Sequence, residues 1–308
     1  MRITAANAFE TSVSNLQRRQ QALVTAQEQL TSGKRVLKPS DDPAAAAQGE
    51  RALAAISRSE AQMRALDASR QAMQLSESAL GDAGELVQQA RDFLIGAGNG
   101  SYTDADRRVI AEAVRGLRGD LLAAANRSDG AGRYLFGGQG AAGPPLVDSL
   151  GGVSYSGSSG QLLAATGEVS PLSVDGRAAW LLAPDPANPG ATLSIFNVLD
   201  QAIAELLTPG RTAAQVAQTV STGLGGLDAA AANLSVWRSR AGESLNRIDG
   251  LADRLSQTRL DAQRERSDAE DLDMLQAISD FQNRQTGYDA ALKTYSMVQQ
   301  MSLFQYLR

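Results

Sequence analysis

The sequence predicts a mainly α fold: an elongated nested helical bundle with a terminal coiled coil and a small β-rich inserted domain. Three observations support this prediction. Apolar residues follow a heptad spacing at both ends of the chain, alanine-rich helical patterns lie between them, and a middle stretch rich in glycine, serine and proline carries little charge. We therefore predict a terminal coiled-coil domain (1–40 and 265–308), a helical bundle domain (41–140 and 193–264) and an inserted β-rich outer domain (141–192).

The C-terminal stretch from Asp271 to Phe304 has apolar residues at alternating steps of four and three, as in a coiled coil. A helix of this length would be about 50 Å long and needs a partner along it. The N-terminal stretch has the same spacing, so we predict that the two ends form an assembly interface. Periodicity alone fits two ordinary core helices of a bundle equally well. The predicted interface residues are Phe9, Val13, Leu16, Leu23, Leu30, Ile278, Phe281, Tyr288, Leu292, Tyr295, Val298, Leu303 and Phe304.

A loop from Thr31 to Pro43 follows the first helix. Gly33 can end that helix, and Asp42 followed by Pro43 is a typical helix start. The next helix is predicted to extend to about Ala97, because apolar residues recur every seven positions along it. These residues are Met73, Leu80, Val87 and Leu94.

A second bundle helix is predicted to start at Thr103 and to end between Asn126 and Gly132. The glycines that follow, Gly137, Gly138 and Gly140, lack the strand-to-helix context of a phosphate-binding loop, so we interpret them as a domain linker. Within the insert, three short runs suit strands. They are 153–155, 161–165 and 180–183.

Two more helices are predicted after the insert. The first spans 194–207, and the second runs from Thr212 to about Leu260 and keeps the four-three spacing that makes it the third partner of the bundle. Ser267 and Glu270 have the spacing of a capping box, which predicts that the terminal helix starts there.

The composition excludes several classes of function. The chain has no cysteine and no histidine, which removes thiolate chemistry, the commonest zinc ligands and the usual general base, so an enzyme is disfavoured and we predict no catalytic, metal or cofactor site. Asp41, Asp42 and the acidic run 268–273 suit helix capping and solvated charge better than hydrolysis. The Arg118-Gly119-Asp120 adhesion tripeptide lies inside a predicted helix and is attributed to chance.

Partners and location are constrained in the same way. The net charge is −5 and basic residues alternate with acidic ones, which argues against nucleic-acid binding. No apolar stretch approaches the length of about 18 residues that a transmembrane helix needs, and the first thirty residues do not resemble a cleavable signal. We therefore predict no membrane partner, and secretion, if it occurs, without signal cleavage.

The loop reads Thr31-Ser32-Gly33-Lys34-Arg35-Val36 and then Pro39-Ser40-Asp41-Asp42-Pro43. Together with 132–138 and the ending Ser302-Leu303-Phe304-Gln305-Tyr306-Leu307, these motifs resemble the hook-filament junction proteins of bacterial flagella. Those junction proteins make up the hook-associated protein 3 family of the flagellin-like superfamily. The family loop motif comprises Ser32, Gly33, Lys34, Arg35, Pro39, Ser40, Asp41, Asp42 and Pro43.

The resemblance implies a structural adaptor that forms a ring between the first hook-associated protein and the flagellin filament, assembled through its terminal helices. The implied partners are further copies of the chain, the first hook-associated protein, flagellin, a flagellar export chaperone and the type III export apparatus. The implied location is extracellular, in the flagellum. Two alternatives remain open: a flagellin-like filament subunit, and a secreted protein that binds surfaces through its insert.

Overall fold

The structure, a computed structural model, describes residues 2–130, 132–138, 143–149, 151–158, 163–165, 169–171 and 173–306. Helices dominate these residues, so the prediction of a mainly α fold is confirmed. The helices are α1 (Arg2–Ser32), α2 (Pro43–Ala97), α3 (Asp104–Ala125), α4 (Gly176–Leu181), α5 (Ile195–Leu207), α6 (Ala213–Glu270) and α7 (Met274–Tyr306). The strands are β1 (Leu146–Ser149), β2 (Gly152–Tyr155), β3 (Leu163–Ala165), β4 (Val169–Pro171), β5 (Ala183–Pro184) and β6 (Thr192–Leu193).

The chain divides into two compact units. The terminal unit combines residues 1–59 with 256–308, and the central unit spans 60–255. The three-domain division drawn from the sequence stays a prediction.

Local signals set most helix limits correctly. The helix predicted from Pro43 to Ala97 has those bounds. Thr103 caps α3 through a capping box with Asp106, whose carboxylate accepts from the Thr103 backbone N–H at 2.9 Å. Among the described residues, no helix combines the length and the apolar character needed to cross a membrane.

The predicted start of the terminal helix is wrong. α6 continues past Leu260 to Glu270, so Ser267 and Glu270 lie in its last turn rather than in a capping box. Asp273 starts α7 instead, because its Oδ1 accepts from the backbone N–H of Leu275 at 3.0 Å and of Gln276 at 3.2 Å. Glu270 has other partners, which the next section describes.

The core of the central unit is continuous from the helices into the insert. α2, α3, α5 and α6 contribute one apolar face each, and buried residues of 143–183 join the same cluster. Trp180 of α4 is 1% exposed; its ring meets Phe136 edge-on at a centroid distance of 5.4 Å and stacks on Phe196 at 6.3 Å. The cluster includes Met73, Leu80, Leu94, Val114, Leu121, Phe136, Leu146, Val153, Trp180, Phe196, Leu199, Leu227 and Leu234.

The described strands form three two-stranded antiparallel sheets, β1–β2, β3–β4 and β5–β6. The strand predicted at 153–155 is confirmed. Of the strand predicted at 161–165, residues 163–165 form β3 and the first two lie outside the described residues. The strand predicted at 180–183 is wrong, because most of it lies in or next to α4, which Asp175 caps by accepting from the Ala178 N–H at 3.1 Å.

The linker interpretation does not hold for Gly137 and Gly138. Both are buried, Gly137 forms a bridge with Asp175, and the Gly138 carbonyl accepts from the Ser173 hydroxyl at 3.2 Å. Gly140 lies outside the described residues. The aromatic segment before these glycines is therefore packed into the central unit.

Arg118 of the adhesion-like tripeptide lies in α3, as predicted, and has a structural role. Its guanidinium donates to both Asp148 oxygens at 2.7 and 2.9 Å and also pairs with Asp200 of α5. These bonds hold β1 against the two helices. A side chain engaged in this way is not presented to a receptor.

Candidate assembly interface

Helices α1 and α7 pack against each other in antiparallel orientation within the terminal unit. The Arg284 guanidinium of α7 donates to the Ala22 carbonyl of α1 at 3.0 Å. Three residues back along α1 and three forward along α7, the Arg19 Nη1 lies 2.9 Å from the position that a Cβ on Gly287 would occupy. The two terminal stretches that were predicted to pair are therefore brought together in one register.

This pairing leaves the predicted interface incompletely buried. Every described member is at least partly accessible, and two of them, Ile278 at 45% and Leu292 at 37%, are exposed. The half-buried members are Val13, Leu16, Leu23, Leu30, Phe281, Tyr288 and Tyr295. Phe9 lies in α1, and Val298, Leu303 and Phe304 lie in α7, but their side chains are outside the described part of the structure.

Other apolar residues of the same helices are also exposed and were missed by the heptad count. Val24 is 47% exposed, Met297 56%, and Leu275, at the first turn of α7, 85%. Val24 and Leu275 are next to positions of the four-three pattern, and Met297 is next to Val298, so a wider stripe would have included all three. Two helices with this much accessible apolar surface have room for further packing partners.

The family loop motif joins the end of α1 to the junction of α6 and α7. Lys34 and Asp271 form an antiparallel bridge. The Arg35 N–H donates to the Glu270 carbonyl at 2.7 Å, and the Leu272 N–H donates to the Gly33 carbonyl at 3.0 Å. We call these two segments, 33–36 and 269–272, the loop joint. Gly33 has φ +70°, a conformation that favours glycine after a helix.

Charged side chains reinforce the loop joint. The Lys34 ammonium donates to the Glu270 carboxylate at 2.7 Å, and Arg266 reaches the same oxygen at 3.3 Å. The hydrogen bond from Lys34 is the main cause that lowers the pKa of Glu270, and the positive charges of Lys34 and Arg266 lower it further. Burial acts in the opposite direction but is outweighed. Arg35 donates to the Ala269 carbonyl at 2.9 Å and to Asp42 at 3.0 Å.

Both aspartates of the motif have structural roles, and Asp42 has the helix-capping role that the sequence favoured. Asp42 caps α2 by accepting from the Ala45 N–H at 3.0 Å; this bond, followed by that from Arg35, lowers the pKa of Asp42. Asp41 accepts from the backbone N–H groups of Leu37 and Lys38 at 3.1 and 2.9 Å. Within the described ranges no group of three or more carboxylates is placed to hold a metal ion.

The remaining motif residues shape the turn. The Ser32 hydroxyl accepts from the Lys34 N–H at 3.2 Å, Pro39 and Ser40 lie exposed in the turn, and Pro43 is the first residue of α2. Glu270 belongs to this site, although the sequence placed it in a helix cap. No local sequence pattern marks this role, because Glu270 and the lysine that it pairs with are more than two hundred residues apart in the sequence.

Comparison with known proteins extends over most of the chain. The family model described as the bacterial flagellin N-terminal helical region matches residues 4–141, and the C-terminal helical region matches 224–307. The flagellar hook-associated protein 3 of Salmonella typhimurium is 29% identical over 324 residues and covers 99% of each chain. The flagellar hook-associated protein 3 of Escherichia coli is 31% identical over 297 residues and covers 90% of each chain.

A solved structure has the same fold. The putative flagellar hook-associated protein from Vibrio parahaemolyticus superposes with a TM-score of 0.66 at 21% identity, over 75% of this chain and 100% of that one.

Proposed function

Because this chain belongs to the flagellar hook-associated protein 3 family, we propose that it forms a ring at the hook-filament junction, between the first hook-associated protein and the flagellin filament. Its relatives are structural proteins of the flagellum rather than enzymes, and the chain is accordingly a structural flagellar component. The ring and its neighbours are the part that needs a test.

The incompletely buried α1–α7 pair carries this proposal. Its described interface residues are half-buried or exposed when only one copy of the chain is considered. Fully burying one large apolar side chain contributes about 1.5 to 3 kcal/mol. A side chain that is already half-buried gains only the remaining part of this on association, whereas association costs about 4 to 15 kcal/mol in lost freedom of motion. Many residues along both helices, packed against more than one neighbour, are therefore needed to favour assembly over the free monomer.

In the proposed assembly, residues 1–40 and 265–308 form the assembly domain, 41–140 and 193–264 the bundle domain, and 141–192 the outer domain. The partners are neighbouring copies of the chain, the first hook-associated protein and flagellin. The chain reaches the outside of the cell through the type III export apparatus with an export chaperone and without signal cleavage. The absence of cysteine supports this route, because no disulfide can lock the chain before it passes a narrow channel.

Deleting the gene tests the junction role. We expect cells that build hooks, release flagellin into the medium and carry no filaments, as seen by electron microscopy and by immunoblotting of the medium. Re-expression of the chain is expected to restore filaments. Cells that keep normal filaments after the deletion would refute the junction role.

A substitution in the interface tests the part played by α7. Leu292→Asp places a charge on a side chain that is 37% exposed in the single chain, so we expect a loss of only about 1 kcal/mol in monomer stability together with loss of filament attachment. Thr294→Asp, at an exposed polar position two residues away, is the matched control and should complement the deletion. A large drop in the thermal midpoint of Leu292→Asp would mean that the residue supports the monomer instead.

Because the chain matches flagellin helical regions, the alternative that it is a filament subunit needs its own test. A junction protein is confined to the base of the filament, whereas a filament subunit occurs along its length. Immunogold labelling of intact cells distinguishes the two. Continuous labelling along the filament would favour the subunit.

A further inference from the structure

The long helices α2 and α6 lie side by side and antiparallel within the central unit. Arg70 of α2 binds Asp249 of α6 at 2.6 Å, and Arg91 of α2 binds Asp228 of α6 at 2.9 Å. Residues 67–92 of α2 therefore lie beside the segment of α6 that contains both aspartates. Charged rows on the outer sides of these two segments are at a similar level along the helix axes.

Helix α2 carries an acidic row on its outer side, formed by Asp67, Glu85 and Asp92. All three are exposed, and each is two residues, or about 200° around the helix, from a buried residue. Among the described residues Glu85 has no ion pair, and Asp92 accepts from Gln88 of the same helix at 3.1 Å. The row is therefore available to a partner. The buried residues opposite it are Ser69, Val87 and Leu94.

Helix α6 carries a basic row that faces away from α2. Arg247 and Asp249 are two residues apart and lie on nearly opposite sides of the helix, and Asp249 binds α2. Arg240 and Arg254 are seven residues before and after Arg247 and continue the row, which also includes the acidic Glu243. Arg240 and Arg247 are exposed and have no ion pair within the described part of the chain. The row is net positive.

We propose that the acidic row of α2 binds the basic row of α6 on the next copy of the chain. This inference rests on the ring proposed above and names the contact that joins its neighbouring copies. The two rows lie on different sides of the central unit, so the contact is heterologous, and repeating such a contact with rotation closes a ring. Opposite charges across a contact steer docking and fix its orientation.

Apolar residues beside both rows give this contact a centre that excludes water. Leu75 and Phe93 of α2 are 37% and 42% exposed, and Val236 of α6 is 49% exposed. Trp237 is half-buried, and the Arg240 guanidinium lies 4.5 Å from its ring centre. Tryptophan and arginine are enriched among the residues that dominate binding energy at interfaces. The charges therefore select the partner surface, and the apolar residues add affinity.

Charge reversal in the deletion strain tests the contact. Arg240→Glu with Arg247→Glu, and separately Glu85→Arg with Asp92→Arg, place like charges opposite each other between copies. We expect each pair of changes to lower the number of attached filaments by at least about tenfold, because several like-charge contacts cost more than the free energy of one factor of ten. The chain with all four changes restores opposite charges between copies, and we expect it to recover filaments.

Photo-cross-linking identifies the partner in the otherwise unsubstituted chain. Arg247 is replaced by the photo-reactive residue p-benzoylphenylalanine, and isolated flagella are irradiated. We expect a product of two copies of the chain, in which mass spectrometry maps the second attachment point to α2. Arg177, exposed in α4, is the control position and should give no product joined to α2.

Three results overturn the contact. They are full recovery of filaments by either reversed pair alone, an equal loss in the charge-matched control Arg108→Glu with Arg177→Glu, whose arginines are exposed in α3 and α4, and a cross-link at position 247 to another flagellar protein with none to a second copy. If the unsubstituted chain restores filaments while one of these results is found, the junction role stands without this contact. If the deletion itself leaves filaments intact, the junction role is wrong, and the cross-link reports on the contact separately.

Discussion

Replacing Trp180 by alanine tests whether the insert and the helices share one core. The ring is 1% exposed and touches Phe136 and Phe196. Truncation of a buried tryptophan costs about 3 to 5 kcal/mol. The buried Nε1 has no hydrogen-bond partner among the described residues, and an unpaired donor costs about 1 to 3 kcal/mol, which the truncation relieves. From the middle of each range we therefore expect a net loss of about 2 kcal/mol in the free energy of unfolding.

Urea unfolding followed by circular dichroism measures this loss. Trp180→Phe keeps an aromatic ring and removes the unpaired N–H, so we expect it to change stability by less than about 1.5 kcal/mol. Trp237→Ala is the second control, because Trp237 is half-buried and is covered by the Arg240 guanidinium at 4.5 Å from its ring centre; we expect a loss of about 1 to 2 kcal/mol there.

A loss below about 1 kcal/mol for Trp180→Ala, less than the range for buried aromatic truncation, would refute a shared core. Two separate urea transitions in the unsubstituted central unit would refute it too, because they would show that the insert unfolds by itself.

Two further outcomes are expected. Gly176→Ala should destabilise the central unit by about 1 to 3 kcal/mol in urea unfolding, because a Cβ would lie 2.2 Å from the Phe136 carbonyl oxygen; Gly116→Ala, with nothing within 4 Å, should instead stabilise it by about 0.5 to 1 kcal/mol. Glu270→Gln should lower the stability of the terminal unit near neutral pH. Because the pKa of Glu270 is lowered in the folded chain, its ion pair with Lys34 stabilises the fold above the usual carboxyl pKa of 4.5. This stabilisation is lost as the carboxylate is protonated, so the difference from the unsubstituted chain should shrink as the pH falls below 4.5. A difference in urea midpoint that persisted near pH 2, well below the reference value, would contradict this.

The strand predicted at 180–183 and the linker interpretation of Gly137 and Gly138 failed because tertiary contacts outweighed the local composition. Trp180 and its neighbours are apolar enough for a strand, and their sequence does not distinguish a buried strand from one turn of buried helix. The Asp175 cap and the contact with Phe196 decided for the helix. Gly137 and Gly138 have the composition of a linker, but their position beside Asp175 and Ser173 buries them.

The sequence alone determined the long helices, because their signals are local: the apolar period, the Asp42-Pro43 start and the glycine at position 33 act within a few residues. The loop motif likewise predicted the family. Only the tertiary structure decided where α6 ends and α7 begins, and which residues these helix ends contact. Glu270 is not in the helix cap that the sequence predicted. Its carboxylate binds Lys34, which is distant in sequence, and lies against Gly49, where the lack of a side chain leaves room for it. Contacts between segments this far apart depend on the folded arrangement, and no local pattern encodes them.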